Sequence, residues 1–112
     1  MTGIRLAREE NAVVVSIRGE VDAFDVDELA EAFGEVDHDG RMALVIDLSR
    51  VSFMDSTALG LVVRTVNAIA DGGGSARVVL PETSARRIFE ITTLDRVLPI
   101  AESCGAALSD LA

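Results

Sequence analysis

MALVIDLSRVSFMDSTALG, residues 42–60, is the stretch of sequence that decides the fold. Its first part, residues 42–46, is almost continuously apolar and is closed by Asp47, a pattern typical of a central strand that is covered on both faces. A helix is expected to begin at Asp55 or Ser56, because both residue types cap helix N-termini well. The predicted buried stripe of this helix is Leu59, Val62, Val63, Val66 and Ile69.

The flanking segments continue this alternation of strands and helices. The predicted elements are, in chain order, strands at 4–7 and 13–17, a helix at 25–36, the strand at 42–46, the helix from 55 or 56, a strand at 76–80, a helix at 84–94, a strand at 97–101 and a helix from about Cys104. Such an alternation indicates an α/β layer fold. We expect a mixed sheet of about five strands, mostly parallel after an N-terminal hairpin, with about four helices.

Length and composition indicate a single domain that spans residues 1–112. The chain is 49% hydrophobic but has only four Phe and neither Trp nor Tyr, so its core is expected to be aliphatic. No apolar run approaches the roughly 20 residues that span a bilayer, and the start of the chain lacks a secretory signal, which predicts a cytoplasmic protein. Cys104, the single cysteine, is interpreted as a small apolar residue, since it has no disulfide partner and no neighbours at zinc-ligand spacing.

The net charge of −9 is concentrated in one segment of the chain. Residues 20–39 hold nine acids and no Arg or Lys, whereas ten acids elsewhere balance ten bases. A chain of this kind offers no basic surface, which argues against nucleic acid and anionic membrane as partners. All ten bases are Arg, and the lack of Lys argues against a Walker-type phosphate loop, a Schiff-base enzyme and a kinase-like fold.

Three patterns that suggest chemistry have simpler structural interpretations. Residues 72–74 are all Gly, but they follow a helix and so are typical of a helix exit rather than of a phosphate-binding loop. His38, the only histidine, lies in a polar loop, which argues against a Ser/His/Asp triad. Asp47 occupies a position similar to the phosphoacceptor of a response-regulator receiver, but the receiver's other acidic residues and its lysine are missing. We therefore expect no catalytic residue, no metal site and no cofactor.

Ser56 is the candidate that remains. As a helix N-cap it would contribute about 1 kcal/mol to stability and need no further role. The same position holds a hydroxyl at the carboxyl edge of the sheet, where ligands and partners commonly approach. Local chemistry leaves both interpretations open.

Three segments, residues 45–60, 19–22 and 86–97, together resemble the anti-sigma factor antagonists of the STAS domain family, which also includes domains of sulfate transporters. The resemblance covers essentially the whole chain. It departs at residues 24–27, where the family often has small or threonine-rich residues, and this makes the acidic helix at 25–36 a predicted source of partner selectivity.

The resemblance implies a phosphorylation switch and no enzymatic activity. Ser56 matches the serine that an anti-sigma factor phosphorylates, with Thr57 as the less favoured alternative. That anti-sigma factor is a kinase of the histidine-kinase-like ATPase fold, and a metal-dependent serine phosphatase reverses the reaction. The unphosphorylated antagonist binds the anti-sigma factor and frees the sigma factor. The expected partner-binding residues are Glu20, Asp22, Asp55, Thr57, Ala58 and Leu61.

Two other functions stay open at this point. A STAS domain also serves as a scaffold in a stress-signalling assembly or as a subunit of a transport system, and the Asp55-Ser56-Thr57 motif does not exclude either role. A hydrolase with Ser56 as its nucleophile is the alternative from a different class. It lacks a suitable base and the Gly-x-Ser-x-Gly elbow.

Overall fold

The computed structural model of the chain describes residues 2–9, 12–35, 43–80, 87, 90 and 98–111. Five strands in these ranges form one sheet in the order β1-β2-β3-β4-β5. The strands are β1 (Thr2–Arg8), β2 (Val13–Val21), β3 (Ala43–Met54), β4 (Ser75–Val79) and β5 (Ile100–Ala101). β1 and β2 pair as an antiparallel hairpin, and every later neighbour pair is parallel. The predicted mixed sheet is thereby confirmed.

Helices cover both faces of this sheet. The α-helices of the described residues are α1 (Val26–Phe33), α2 (Ser56–Asp71) and α3 (Cys104–Leu111), and a 3-10 turn at Ala23–Asp25 precedes α1. The predicted helix at 84–94 lies mostly outside the described residues. The two residues of this segment that are described, Arg87 and Glu90, are helical and exposed.

Alternate side chains of the strands enter two separate hydrophobic clusters, because successive residues of a strand point to opposite faces. On β2, Val13 and Val15 join the larger cluster, to which α1 contributes Leu29 and Phe33 and α2 contributes its buried stripe. Val14 instead joins a smaller cluster with α3. We call these sides the front face, covered by α1 and α2, and the back face, covered in part by α3.

β3 is longer than predicted. It has 12 residues and continues past Asp47, because Leu48, Val51 and Met54 remain buried in the front cluster. The expectation that Asp47 closes the strand is therefore wrong, and its carboxylate lies in mid-strand, where it accepts a hydrogen bond from the Ser49 N–H at 3.0 Å. This position removes the likeness to a receiver phosphoacceptor at a strand end.

β2 also exceeds its predicted length, since it passes through Gly19 and ends at Val21. Gly19 has a φ of 90°, a conformation that glycine adopts without steric cost, and the register with β3 shifts there. The extra residues bring Glu20 and Val21 alongside the end of β3, next to the predicted site.

The glycines at 72–74 end α2, as predicted. Gly72 is the helix C-cap, Gly73 has a φ of 87°, and the Gly74 N–H donates to the Ile69 carbonyl at 2.8 Å. This arrangement satisfies carbonyl groups of the last helical turn with backbone donors. The three glycines thus have a structural role at the opposite end of α2 from Ser56.

Candidate functional site

Ser56 is the first residue of α2, and a single residue, Asp55, separates it from the end of β3 at Met54. The N-cap is Asp55: its Oδ1 atom accepts a hydrogen bond from the Ala58 N–H at 2.9 Å. Ser56 is exposed. The interpretation of Ser56 as the helix cap is therefore wrong, because the preceding carboxylate already fills that role and leaves the hydroxyl available at the surface.

Asp55 also joins the helix to the neighbouring loop. Its Oδ2 atom accepts from the Ala23 N–H at 3.0 Å, and its own N–H donates to the Val21 carbonyl at 3.0 Å. One half-buried carboxylate thus fixes the start of α2 and the end of β2 together. The position of Ser56 relative to the loop after β2 depends on these bonds.

A second carboxylate arrangement rigidifies that loop. Asp22 caps the 3-10 turn by accepting from the Phe24 N–H at 2.9 Å, while Asp25 accepts from the Asp22 N–H at 2.9 Å in a reciprocal capping box. The Thr2 hydroxyl lies 2.8 Å from the same Asp25 carboxylate. The backbone N–H of Asp22 is the main reason that the pKa of Asp25 lies below its ordinary value, opposed by partial desolvation and assisted by Thr2.

The electrostatics at Ser56 allow an anion within the fold. The first N–H groups of a helix lack intrahelical partners, and the helix dipole adds a partial positive charge at this end. On the surrounding surface, however, Asp22 and Asp55 are both acidic, and Asp22 is exposed. A phosphate on Ser56 would thus be tolerated by α2 and would add to a negative surface.

The predicted partner-binding residues differ in their exposure to solvent. Glu20, Asp22 and Thr57 are exposed, and Leu61 is half-buried against the front cluster. The expectation that Ala58 lies off the buried stripe is wrong, since its side chain is 0% exposed and belongs to the front cluster. Helical periodicity explains the error: Ala58 lies four residues before Val62 and shares its face.

Two aromatic residues beside the site were missed by sequence analysis. Phe24 is 95% exposed in the 3-10 turn, directly after the Ala23 N–H that Asp55 binds. Phe53 is 49% exposed and is the register partner of Glu20. Exposed aromatic side chains are enriched in protein interfaces. The available signal was that Phe24 lies in an acidic loop, outside any predicted apolar stripe.

The described ranges contain no group of three or more His, Cys, Asp or Glu side chains placed to hold a metal ion. Burial, followed by the charges of Asp47 and Glu9, raises the pKa of Cys104 and so disfavours its thiolate. His38 lies outside the described residues.

In the part of the chain that the structure describes, no helix combines the length and apolarity needed to cross a membrane.

A five-stranded mixed sheet covered by helices defines a small α/β domain, and this domain presents an exposed serine beside acidic and aromatic side chains. The STAS domain family matches residues 4–107, and the chain belongs to this family. An anti-sigma-B factor antagonist of Staphylococcus aureus is 31% identical to it over 99 residues, which are 88% of this chain and 92% of the relative.

Solved structures show the same relationship. The crystal structure of an anti-sigma factor antagonist from Mycobacterium paratuberculosis has a TM-score of 0.87 at 30% identity, and the match covers 99% of this chain and 94% of that one. The phosphorylated form of the Bacillus cell fate determinant SpoIIAA shares the fold, with a TM-score of 0.74 at 21% identity, over 98% of this chain and 100% of that one.

Proposed function

We propose that this protein is an anti-sigma factor antagonist that is switched by phosphorylation of Ser56. The observation that carries the proposal is the division of roles at the start of α2: Asp55 caps the helix, so the exposed Ser56 hydroxyl has no capping role. The relatives named anti-sigma-B factor antagonists support the partner class. The protein acts in the cytoplasm, where the transcription machinery is found.

The partner is an anti-sigma factor that is also a serine kinase of the histidine-kinase-like ATPase fold. It binds the surface formed by Ser56 and Thr57 on α2, by Glu20 near the end of β2 and by Asp22 directly after β2, and it then releases its sigma factor. Leu61 and Phe24 add apolar contact at the edges of this surface. Ala58 contributes only to the core, because its side chain is buried.

Phosphorylation moves the γ-phosphoryl group of ATP to the Ser56 Oγ atom. The hydroxyl proton leaves to a base on the kinase, and ADP is the second product. A metal-dependent serine phosphatase later hydrolyses the phosphoester and restores the hydroxyl. These steps need only an accessible hydroxyl from the antagonist, which supplies no catalytic group.

The phosphate weakens binding through charge. It adds about −1.5 to −2 charges at pH 7 beside Asp22 and Asp55, so a partner surface that fits a neutral hydroxyl meets a concentrated negative charge instead. The N-terminus of α2 accommodates the same anion with up to about 1 kcal/mol of favourable dipole interaction. The fold of SpoIIAA, which this chain shares, has been solved in both phosphorylated and unphosphorylated forms.

Phosphate transfer from the partner kinase tests the proposal. The purified kinase is incubated with ATP and the wild-type chain, Ser56→Ala or Thr57→Ala, and the modified residue is mapped by mass spectrometry. We expect one phosphate on Ser56, none on the Ser56→Ala variant and normal transfer to Thr57→Ala. Transfer to Ser56→Ala at the wild-type rate would contradict the assignment.

A further inference from the structure

A groove of about 510 Å³ lies on the part of the back face formed by β1, β2 and β3, beside the area that α3 covers. Its lining residues are Gly3, Ile4, Arg5, Ser16, Ile17, Arg18, Asp47, Ser49 and Arg50. Ser16 and Asp47 alternate along their strands with front-cluster residues, which places them on the back face. The groove is therefore on the opposite side of the sheet from α2.

Three arginines converge on this groove. Arg18 and Arg50 are direct register partners on β2 and β3, and Arg5 pairs with Ser16 on β1 and β2. Within the described ranges, none of the three forms an ion pair. Like charges directly opposite each other in a sheet are destabilising, so an anion bound between them would relieve an existing repulsion. The expectation that the chain offers no basic surface is wrong at this place.

Gly3 positions one of these cations. A Cβ atom added at Gly3 would lie 2.5 Å from Arg18 Nε and 2.9 Å from Arg18 Cγ, so the arginine side chain lies directly against the β1 backbone. This packing restricts the rotamers of Arg18 before any ligand arrives. A second cavity, lined by Thr2, Gly3, Arg18, Gly19 and Arg50, continues the groove along the same side chains.

The lining selects the chemistry of the ligand. The lining of the groove holds three guanidinium groups and one carboxylate, that of Asp47, so its net charge is +2. The protein as a whole has a net charge of −9. Half-buried Ser16 and Ser49 add hydroxyl groups. The side chains of Ile4 and Ile17 pack against or within the front cluster, so the described lining offers neither an aromatic ring nor an apolar wall for a nucleobase.

We propose that this groove binds a small polyvalent phosphate anion. Guanidinium groups recognise phosphate oxygens through paired, charge-assisted hydrogen bonds, and two opposed arginines suit an anion with at least two phosphate groups. The site is separate from Ser56 and does not depend on the phosphorylation switch. An occupied groove stabilises the β1–β3 part of the sheet.

Titration with inorganic pyrophosphate at constant ionic strength tests this site. Calorimetry gives the affinity of the wild type and of Arg18→Gln, Arg50→Gln and Gly3→Ala, and Arg64→Gln on α2 is the control for a simple loss of charge. Thermal melting of each variant verifies that it is folded. We expect saturable one-to-one binding, a loss of roughly tenfold or more for Arg18→Gln and Arg50→Gln, and unchanged binding for Arg64→Gln. Gly3→Ala should also weaken binding, because it displaces Arg18 without removing a charge.

The melting temperature without ligand and the affinity for a nucleoside diphosphate provide two further tests of the proposal. Without pyrophosphate, Arg18→Gln should melt no lower than the wild type, since relief of the repulsion from Arg50 offsets the part of its packing against Gly3 that is lost. A nucleoside diphosphate should bind no more tightly than pyrophosphate. The proposal is overturned by an absence of saturable binding, by equal losses in Arg18→Gln and Arg64→Gln, or by a nucleoside diphosphate that binds more than tenfold tighter.

Discussion

Asp55 organises the site around Ser56 through three hydrogen bonds. Its carboxylate accepts from the Ala23 and Ala58 N–H groups, and its own N–H donates to the Val21 carbonyl. Two neighbouring residues thus have different roles at this position: the acid holds the backbone, and the serine remains exposed. This division is the local reason that modification of Ser56 need not disturb the fold.

The structural role of Asp55 predicts the effect of its removal. Asp55→Ala leaves two backbone donors without their acceptor and should lower the free energy of unfolding by about 1–2 kcal/mol, as measured by urea denaturation. Asp55→Asn retains one acceptor oxygen and should lose less. A matched Ser56→Ala variant should keep the wild-type stability. An Asp55→Ala variant as stable as the wild type would show that these bonds do not hold the site.

Phe24 is predicted to contribute to partner binding rather than to stability. Because its side chain is 95% exposed, Phe24→Ala should leave the free energy of unfolding unchanged and weaken the anti-sigma factor complex by roughly tenfold or more. Phe33→Ala is the control for a buried aromatic residue and should cost about 3–5 kcal/mol of stability. Unchanged affinity for Phe24→Ala would exclude this residue from the interface.

At the scale of elements, α1 presents an acidic surface beside the site. Asp27, Glu28 and Glu31 are exposed, whereas Glu35 just beyond the helix forms a salt bridge with Arg8 at 2.9 Å. Exposed charges of one sign steer association with a surface of the opposite sign, and salt screens this effect. The three exposed acids are therefore the ones available to a partner.

Neutralisation of this surface should change the association kinetics. The triple variant Asp27→Asn, Glu28→Gln and Glu31→Gln should associate more slowly at low salt and show a smaller dependence of the on-rate on ionic strength. Stopped-flow measurement at several salt concentrations gives the slope, with Glu102→Gln, outside α1, as the control. An unchanged slope would indicate that the acidic face only interacts with solvent.

The capping box before α1 predicts a dependence of stability on pH. The pKa of Asp25 is lowered in the folded state, so this carboxylate stabilises the fold at pH values above its unfolded pKa, and the contribution is lost as the pH falls through the folded value. The stability difference between wild type and Asp25→Asn should be constant near neutral pH and shrink below about pH 4. A difference that stays constant down to about pH 2 would contradict this linkage.

At the scale of the whole molecule, sequence pattern predicted the sheet well, because alternating strands and helices permit few topologies. It underestimated β3 and β2, whose later residues alternate less regularly and include the positive-φ Gly19. It also missed the exposure of Phe24, since only the packed fold shows which apolar residues find no core. The basic groove required the register of β2 and β3, which places Arg18 opposite Arg50 although they are distant in sequence.

The architecture places the proposed switch and the proposed anion groove on different surfaces. Ser56 and the acidic loop lie at the carboxyl edge of the parallel strands, α1 and α2 cover the front face, and the arginine groove occupies part of the back face. A charge added at Ser56 would therefore act at the surface, outside the core, as the proposed switch requires.

The affinity of the anti-sigma factor for the two forms of the antagonist tests this account most directly. Wild-type protein, stoichiometrically phosphorylated on Ser56 and verified by mass spectrometry, is compared with the unmodified protein by calorimetry, and both are melted in parallel. We expect similar melting temperatures and an affinity for the phosphorylated form that is lower by roughly a hundredfold, in the range of effects of buried charge at an interface. Equal affinities for the two forms would contradict the switch.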